Sequence, residues 1–231
     1  FEKYFSGEPF TREELLSGIR EGVKAKAITP VLCGSSFNLA GVDMLLDAVV
    51  NLLPSAKEAA GVTAEDADGN PAEISCDQNA PLAAYVFKTV ADPFVGKMSF
   101  IKVISGRLTS DISPVNSASG EPEKIGKLVY VRGKKQEDTS AVCAGDIGVA
   151  LKLASAKTGD TLCDPKHIVK IEPYKFPKAC LSMAIKPKSK GDEGKISQSI
   201  TRLMEEDPTI AYENNTETHQ QLISGLGEQH L

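Results

Sequence analysis

Cys33-Gly34-Ser35-Ser36 sits between a short apolar run, Ile28 to Cys33, and an amphipathic stretch that carries Leu45, Leu46, Val49, Val50 and Leu53. A small-residue turn where a strand hands over to a helix leaves backbone N–H groups facing outward. In a doubly wound α/β domain, ligands bind just there. The same residues serve equally as a plain helix-entry turn. Two basic groups are the other candidates. Lys124, Lys127, Arg132, Lys134 and Lys135 lie on a strand-like run and the Arg-Gly-Lys-Lys turn after it. Between Glu172 and Asp192 stand five lysines and no acid, with Lys186, Lys188 and Lys190 at one loop. Such lysines meet phosphates, or they simply solvate a face. Metal and nucleophile chemistry find no support. The five cysteines are odd in number and never spaced as a ligand pair, and His167, His219 and His230 lack ligand spacing. No catalytic residue and no metal ligand is assigned.

The 231 residues suit two or three small domains better than one large core. A net charge of −5 argues against a general nucleic-acid binder, while local basic patches stay open. No apolar run approaches the roughly 18 residues of a membrane span, so no membrane partner is expected. Scattered cysteines read as reduced thiols, and a cytoplasmic monomer is expected. The chain begins with Phe and carries no signal-peptide pattern, which reads as an excerpt from a longer protein.

Four stretches position these residues. In residues 1–54, Thr11 to Glu14 is a capping box, and Leu15, Leu16, Ile19 and Val23 make one helical stripe. Ile28 to Cys33 reads as a strand, and Asp43 as the cap of a second helix ending at Pro54. Residues 55–80 hold six acids between Lys57 and Lys88 and read as a solvated acidic linker. From 81 to 172 the period changes to two, in short runs broken by Gly, Pro, Asn and Asp, the pattern of a small β-barrel or sandwich. Phe94 and Phe100 are expected to pack inside it. Residues 173–231 give strand, helix and hairpin. Asp192 caps a helix whose stripe of Ile196, Ile200, Leu203 and Met204 is expected to be core, and Asp207-Pro208 stops it. That order, β-α-β-β, begins a split βαβ of ferredoxin type.

Three strings in series carry a resemblance. "CGSSFNLAGVDMLLDAVVNLLPS" is similar to the end of the GTPase domain of the elongation factor G family. "ADPFVGKMSFIKVISGRL", with "AGDI" and "TGDTLCDP", resembles that family's second domain, a β-barrel. "EEDPTIAYENNTETHQQLISGLGEQHL" resembles its third domain. The fold class implied is multi-domain α/β plus β: the tail of a P-loop GTPase domain, a translation-factor β-barrel and an incomplete ferredoxin-like α+β domain. Three departures stand out. Ser36 replaces the usual Ala, Asp111 occupies a turn position where the family has Gly, and the exit "SGLGEQHL" differs at Leu226 and Gln229. They fit a diverged paralogue as well as the housekeeping translocase.

The resemblance implies a ribosome-binding GTPase that couples GTP hydrolysis to movement of tRNA and mRNA. GTP or GDP and magnesium would be cofactors of the full-length protein, with none expected on this stretch. Gly34, Ser35 and Ser36 would present backbone N–H groups to the guanine base. The phosphate loop and catalytic residues would precede Phe1, so residues 1–231 alone are expected to be inactive. Ribosomal RNA would meet Lys124, Lys127, Arg132, Lys134 and Lys135 on the barrel, and RNA or a ribosomal protein would meet Lys186, Lys188 and Lys190. Two other readings stand beside this one. One is a ribosomal protection or recycling GTPase of the same domain order, and the other is a stand-alone RNA-binding barrel.

Overall fold

The structure is a computed structural model that describes residues 2–59, 61–187, 189, 191 and 193–231, without the side chain of Glu193. It falls into two compact units, residues 1–60 and 61–231. The first contains α1 (Glu2–Ser6), α2 (Arg12–Lys24) and α3 (Val42–Leu52). The capping box is present: Glu14 N–H donates to Thr11 Oγ1 at 3.2 Å, and Thr11 N–H donates to Glu14 Oε2 at 2.9 Å. Arg20 on α2 makes a two-pronged contact with Glu58, at 2.9 and 2.8 Å. The N–H and hydroxyl of Ser55, and then Arg20, draw the Glu58 carboxyl down to about 2.

Two expectations for this unit are corrected. Ile28 to Cys33 is not a strand, because strand hydrogen bonds come from a neighbour and the described residues of this unit offer none. Asp43 does not cap α3. The chain enters that helix through Gly41 at φ 75°, with no side-chain cap. The stripe of α3 is uncovered, Val50 being 74% exposed.

The second unit begins where a linker was expected. Residues 62–74 form a hairpin, β1 (Val62–Asp66) and β2 (Pro71–Ile74). The Asp66 carboxylate closes its turn by accepting the N–H groups of Asp68 and Asn70, at 2.9 and 2.8 Å. Acids alternate with Val62, Ala64, Ala72 and Ile74 here, so one face is solvated and the other packs with Ala83, Ile104, Cys163, Val169 and Ile171. The composition reads as linker, whereas the period of two reads as strand.

After the hairpin come β3 (Ala83–Asp92), β4 (Gly96–Ser105), β5 (Arg107–Thr109), β6 (Val115–Asn116), β7 (Lys127–Arg132), β8 (Lys135–Thr139), β9 (Ala141–Cys143), β10 (Ile147–Leu151), β11 (Thr161–Cys163) and β12 (Val169–Ile171). Seven of them form one sheet, ordered β6-β11-β3-β4-β10-β7-β8, while β5 pairs β9 and β12 pairs β1. The seven-stranded sheet is not closed by hydrogen bonds. It curls around one core that includes Val86, Ile101, Val103, Leu108, Leu128, Val142, Ala150 and Leu162, so β5 and β9 complete the wall by packing. Short strands with a buried residue at alternate positions curl in this way when bulges bend them, as β3 and β4 do at Val86/Lys88.

The chain then forms β13 (Leu181–Ile185), α4 (Glu193–Glu206), β14 (Ala211–Asn215) and β15 (Gln220–Gly225). The antiparallel order β13-β15-β14 is the split βαβ expected. Asp192 lies outside the described residues. The α4 stripe is core only at Ile200 and, half-buried, Ile196; Leu203 and Met204 stay exposed, a correction to the expected core. Ala91 N–H on β3 donates to the Glu206 carboxylate at 2.5 Å, which ties the end of α4 to the barrel strand.

Candidate functional site

The turn after Cys33 is closed by its own backbone. Ser35 N–H donates to Ala40 O at 2.9 Å, and Asn38 N–H donates to Ser35 Oγ at 3.4 Å. A Cβ on Gly34 would come 2.9 Å from Ala40 O, so only glycine lets the two arms of the loop approach this closely. Of the three residues singled out by resemblance, Ser35 has its N–H engaged internally. Ser36 is exposed at the loop tip, and its N–H is unpartnered among the described residues. Gly34 shapes the loop, Ser35 stiffens it, and the N–H groups of Gly34 and Ser36, both exposed, are without a partner among the described residues.

The barrel lysines fare differently from one another. Lys127 pairs with Asp138 at 2.8 Å, Lys135 with Glu137 at 3.2 Å, and Arg132 lies 3.8 Å from Glu137. β7 and β8 thus carry their own counter-charges, at positions exposed except for half-buried Glu137, where such pairs are weak. Lys124 and Lys134 have no acidic partner among the described residues. Lys186 is exposed immediately after β13. Lys188 and Lys190 lie outside the described residues.

Several features of the barrel surface escaped the sequence reading. Phe94, expected inside the barrel, projects at the β3–β4 tip with 94% of its surface exposed. The tip is tied to Asp92, whose Oδ1 accepts the N–H groups of Phe94 and Val95, each at 2.8 Å, and Gly96 follows at φ 88°. Phe100 is half-buried and meets Phe87 edge-to-face, ring centres 6.3 Å apart. Lys152, at φ 60°, lines one groove with Lys124, Lys127, Val95 and Leu151.

Glu123 carries no mark in the sequence either, and it is only 1% exposed. Its carboxylate accepts the N–H of Ala154, the N–H of Ser155 at 3.1 Å, the Ser155 hydroxyl at 2.7 Å and the N–H of Ala156 at 3.0 Å. Burial alone would raise this carboxyl; the Ser155 hydroxyl and the three N–H groups outweigh it and hold the group below its ordinary value. The one available signal was a Glu two residues before Ile125 in a strand-rich region, and it does not separate a buried acid from a solvated one.

At the exit, His230 Nδ1 accepts Leu226 N–H at 3.0 Å, and its Nε2 lies 2.9 Å from Asp207 Oδ2. The ring therefore joins the end of α4 to the segment after β15. Burial pushes Asp207 up, but the Thr209 hydroxyl and N–H together with His230 bring it below its ordinary value. Asp111, placed where the family has Gly, is not in the left-handed region; its carboxylate accepts the Thr109 hydroxyl instead.

Two family profiles match this chain. "Elongation factor G domain 2" matches residues 81–165, and "Elongation Factor G, domain III" matches residues 176–231. A protein from Thermus thermophilus with a known crystal structure superposes with a TM-score of 0.78 at 27% identity. The match covers 99% of this chain and 32% of that one. The chain thus spans about a third of that protein's length. Two consecutive domains of one family, in the family's own order and over the segments that carry its motifs, make this chain a member of the elongation factor G family.

Proposed function

We infer that this chain is the central part of a ribosome-dependent translational GTPase, in which GTP hydrolysis drives movement of tRNA and mRNA. The observation that carries the reading is the succession of second and third domains behind a Gly-Ser-Ser turn and amphipathic helix. In the whole protein, GTP or GDP with magnesium would be the cofactor. Ser36 N–H, at the loop tip, would donate to an acceptor on the guanine edge. The barrel and third domain would rest on ribosomal RNA and proteins, and the tie between Glu206 and β3 would transmit movement between them. The protein works in the cytoplasm in this reading.

Cosedimentation with purified ribosomes tests it. The 231-residue chain is expected to pellet with ribosomes, less so as salt rises. Lys134→Glu with Lys135→Glu is expected to weaken pelleting by about tenfold, since each reversal turns an attraction to phosphate into a repulsion. Recovery in the supernatant at low salt would overturn the reading.

Nucleotide gives the second check. Most nucleotide affinity comes from charge-assisted contacts to phosphates, and the turn offers only a guanine-edge donor. Calorimetry of residues 1–231 with GTP and magnesium is expected to show no micromolar binding. A micromolar dissociation constant would place phosphate contacts within this chain and refute the assignment.

A further inference from the structure

After β15 the chain turns back on itself and closes with the half-buried ring of His230. The N–H of His230 donates to Gly227 O at 3.1 Å, which sets the turn that carries the ring. The ring lies against Gly225 of β15, where a Cβ would come 2.7 Å from Nδ1, so glycine is what admits it. Leu226 N–H donates to Nδ1 at 3.0 Å, and Nε2 lies 2.9 Å from Asp207 Oδ2. A backbone N–H can only donate. Nδ1 is therefore the bare nitrogen of a neutral ring, and the proton sits on Nε2, facing the carboxylate. Asp207 is steadied from its other oxygen, which accepts the N–H and the hydroxyl of Thr209. Leu226 is held from its far side as well. Its carbonyl accepts the Cys180 thiol at 3.0 Å, next to the bond from Cys180 N–H to Gly225 O at 2.9 Å. One imidazole thus connects the end of α4 to the exit of β15 and, through Leu226, to the chain entering β13.

We propose that His230 is a proton-operated clasp on the exit of β15, closed while the ring is neutral and opened at Leu226 when Nδ1 takes a proton. Imidazole is the side chain that ordinarily changes charge between about pH 5 and 8. Protonation turns Nδ1 from an acceptor into a second donor, 3.0 Å from the Leu226 nitrogen, and that bond is lost. The Nε2 contact survives and becomes an ion pair with Asp207, so the ring stays on the end of α4 while Leu226 is released. Release also removes the fixed acceptor of the Cys180 thiol, so the start of β13 loosens with the exit of β15. The neighbouring charges divide clearly. Asp207 is the acid within 4 Å of the ring among the described residues, and it favours the charged form. Leu226 N–H favours the neutral one. Glu206, beside Asp207 in the chain, is turned to Ala91 N–H on the barrel, and Glu228 is exposed on the turn. Carboxylates ordinarily ionise below the interval in which imidazole does, and thiols such as Cys180 above it. The clasp stands independently of the ribosomal reading.

Nuclear magnetic resonance of the 231-residue chain tests it, titrated from about pH 7.5 down to about 5.5. At the upper end His230 is expected to show a protonated Nε2 and a bare Nδ1. As Nδ1 takes its proton, protection of the Leu226 amide from solvent exchange, corrected for the intrinsic pH dependence of exchange, is expected to fall about tenfold, the worth of one hydrogen bond. Ile223, paired on both sides within the sheet, should keep its protection and so reports that the domain is still folded. His230→Asn places an amide oxygen that does not titrate where Nδ1 stood, and should keep Leu226 protected throughout. His230→Gln reaches toward Asp207 instead, and should leave Leu226 unprotected throughout. Asp207→Asn removes the charge that favours the protonated ring, and should move the midpoint to lower pH. A protonated Nδ1 at the upper end, Leu226 protection that does not change across the titration, or a His230→Asn chain that loses protection as the parent does would each overturn the proposal. Ribosome pelleting at neutral pH, where the clasp is closed, tests the other reading separately.

Discussion

Glu123→Ala is expected to lower the unfolding free energy by about 3 kcal/mol or more, read as a fall in urea midpoint at unchanged slope. The side chain is 1% exposed, and its carboxylate is the acceptor for three consecutive N–H groups and one hydroxyl. Removing it strands the N–H of buried Ala156, at about 1–3 kcal/mol, and forfeits the charge-assisted hydrogen bonds from exposed Ala154 and Ser155, about 1.5–3 kcal/mol each less whatever water recovers. Glu123→Gln keeps one acceptor oxygen and should cost less. The charge also sets a pH dependence. This carboxyl is held below its ordinary value of 4.5 in the folded state, so between that value and the folded one the unfolded chain binds more protons. The stabilisation is therefore complete above about 4.5 and disappears as pH falls through the depressed folded value. Unfolding curves of the parent and Glu123→Gln should converge on acidification. Curves that stay parallel to acid pH would show that the charge does not stabilise the fold.

Gly106→Ala is the second large effect, again about 3 kcal/mol or more. Gly106 joins β4 to β5 at φ 71°, and a Cβ there would lie 2.8 Å from both Cα and N of Leu82 and 2.9 Å from Ala80 O. These are backbone atoms, which cannot rotate aside. Gly106 N–H also donates to Asp77 O at 2.8 Å, and its carbonyl accepts Ala144 N–H at 3.0 Å, so movement of Gly106 breaks two ties. Gly133→Ala is the matched control. It sits at φ 62° with nothing within 4 Å of a Cβ, and should cost only the left-handed strain of about 1–2 kcal/mol. Equal losses in the two variants would refute the steric argument.

Near-neighbour chemistry was legible in the residues. The Thr11–Glu14 box, the helix stop at Asp207-Pro208 and the β-α-β-β order all rest on contacts a few residues apart, and all are present. The hairpin at 62–74 was half-legible. Its alternation is in the string, but six acids masked it, and its apolar face has meaning only against Ile171 and Ala83. Ile28 to Cys33 failed in the opposite sense, being apolar enough for a strand but without a neighbour in its unit to bond. Phe94 illustrates a further limit, because period two says which side of a strand a ring occupies but not that a hairpin tip carries it past the sheet.

By itself the amino-acid sequence determined the order of modules, most of their elements and the family to which they belong, because propensity, capping and periodicity act over a few residues. The tertiary structure alone decided which charges count. It set Lys127, Arg132 and Lys135 beside the acids of β8, brought Lys152 to Lys124, and buried Glu123 under three N–H groups from a loop some thirty residues on. The energy of a charge depends on its distance to other charges and to water, and only the folded chain sets those distances.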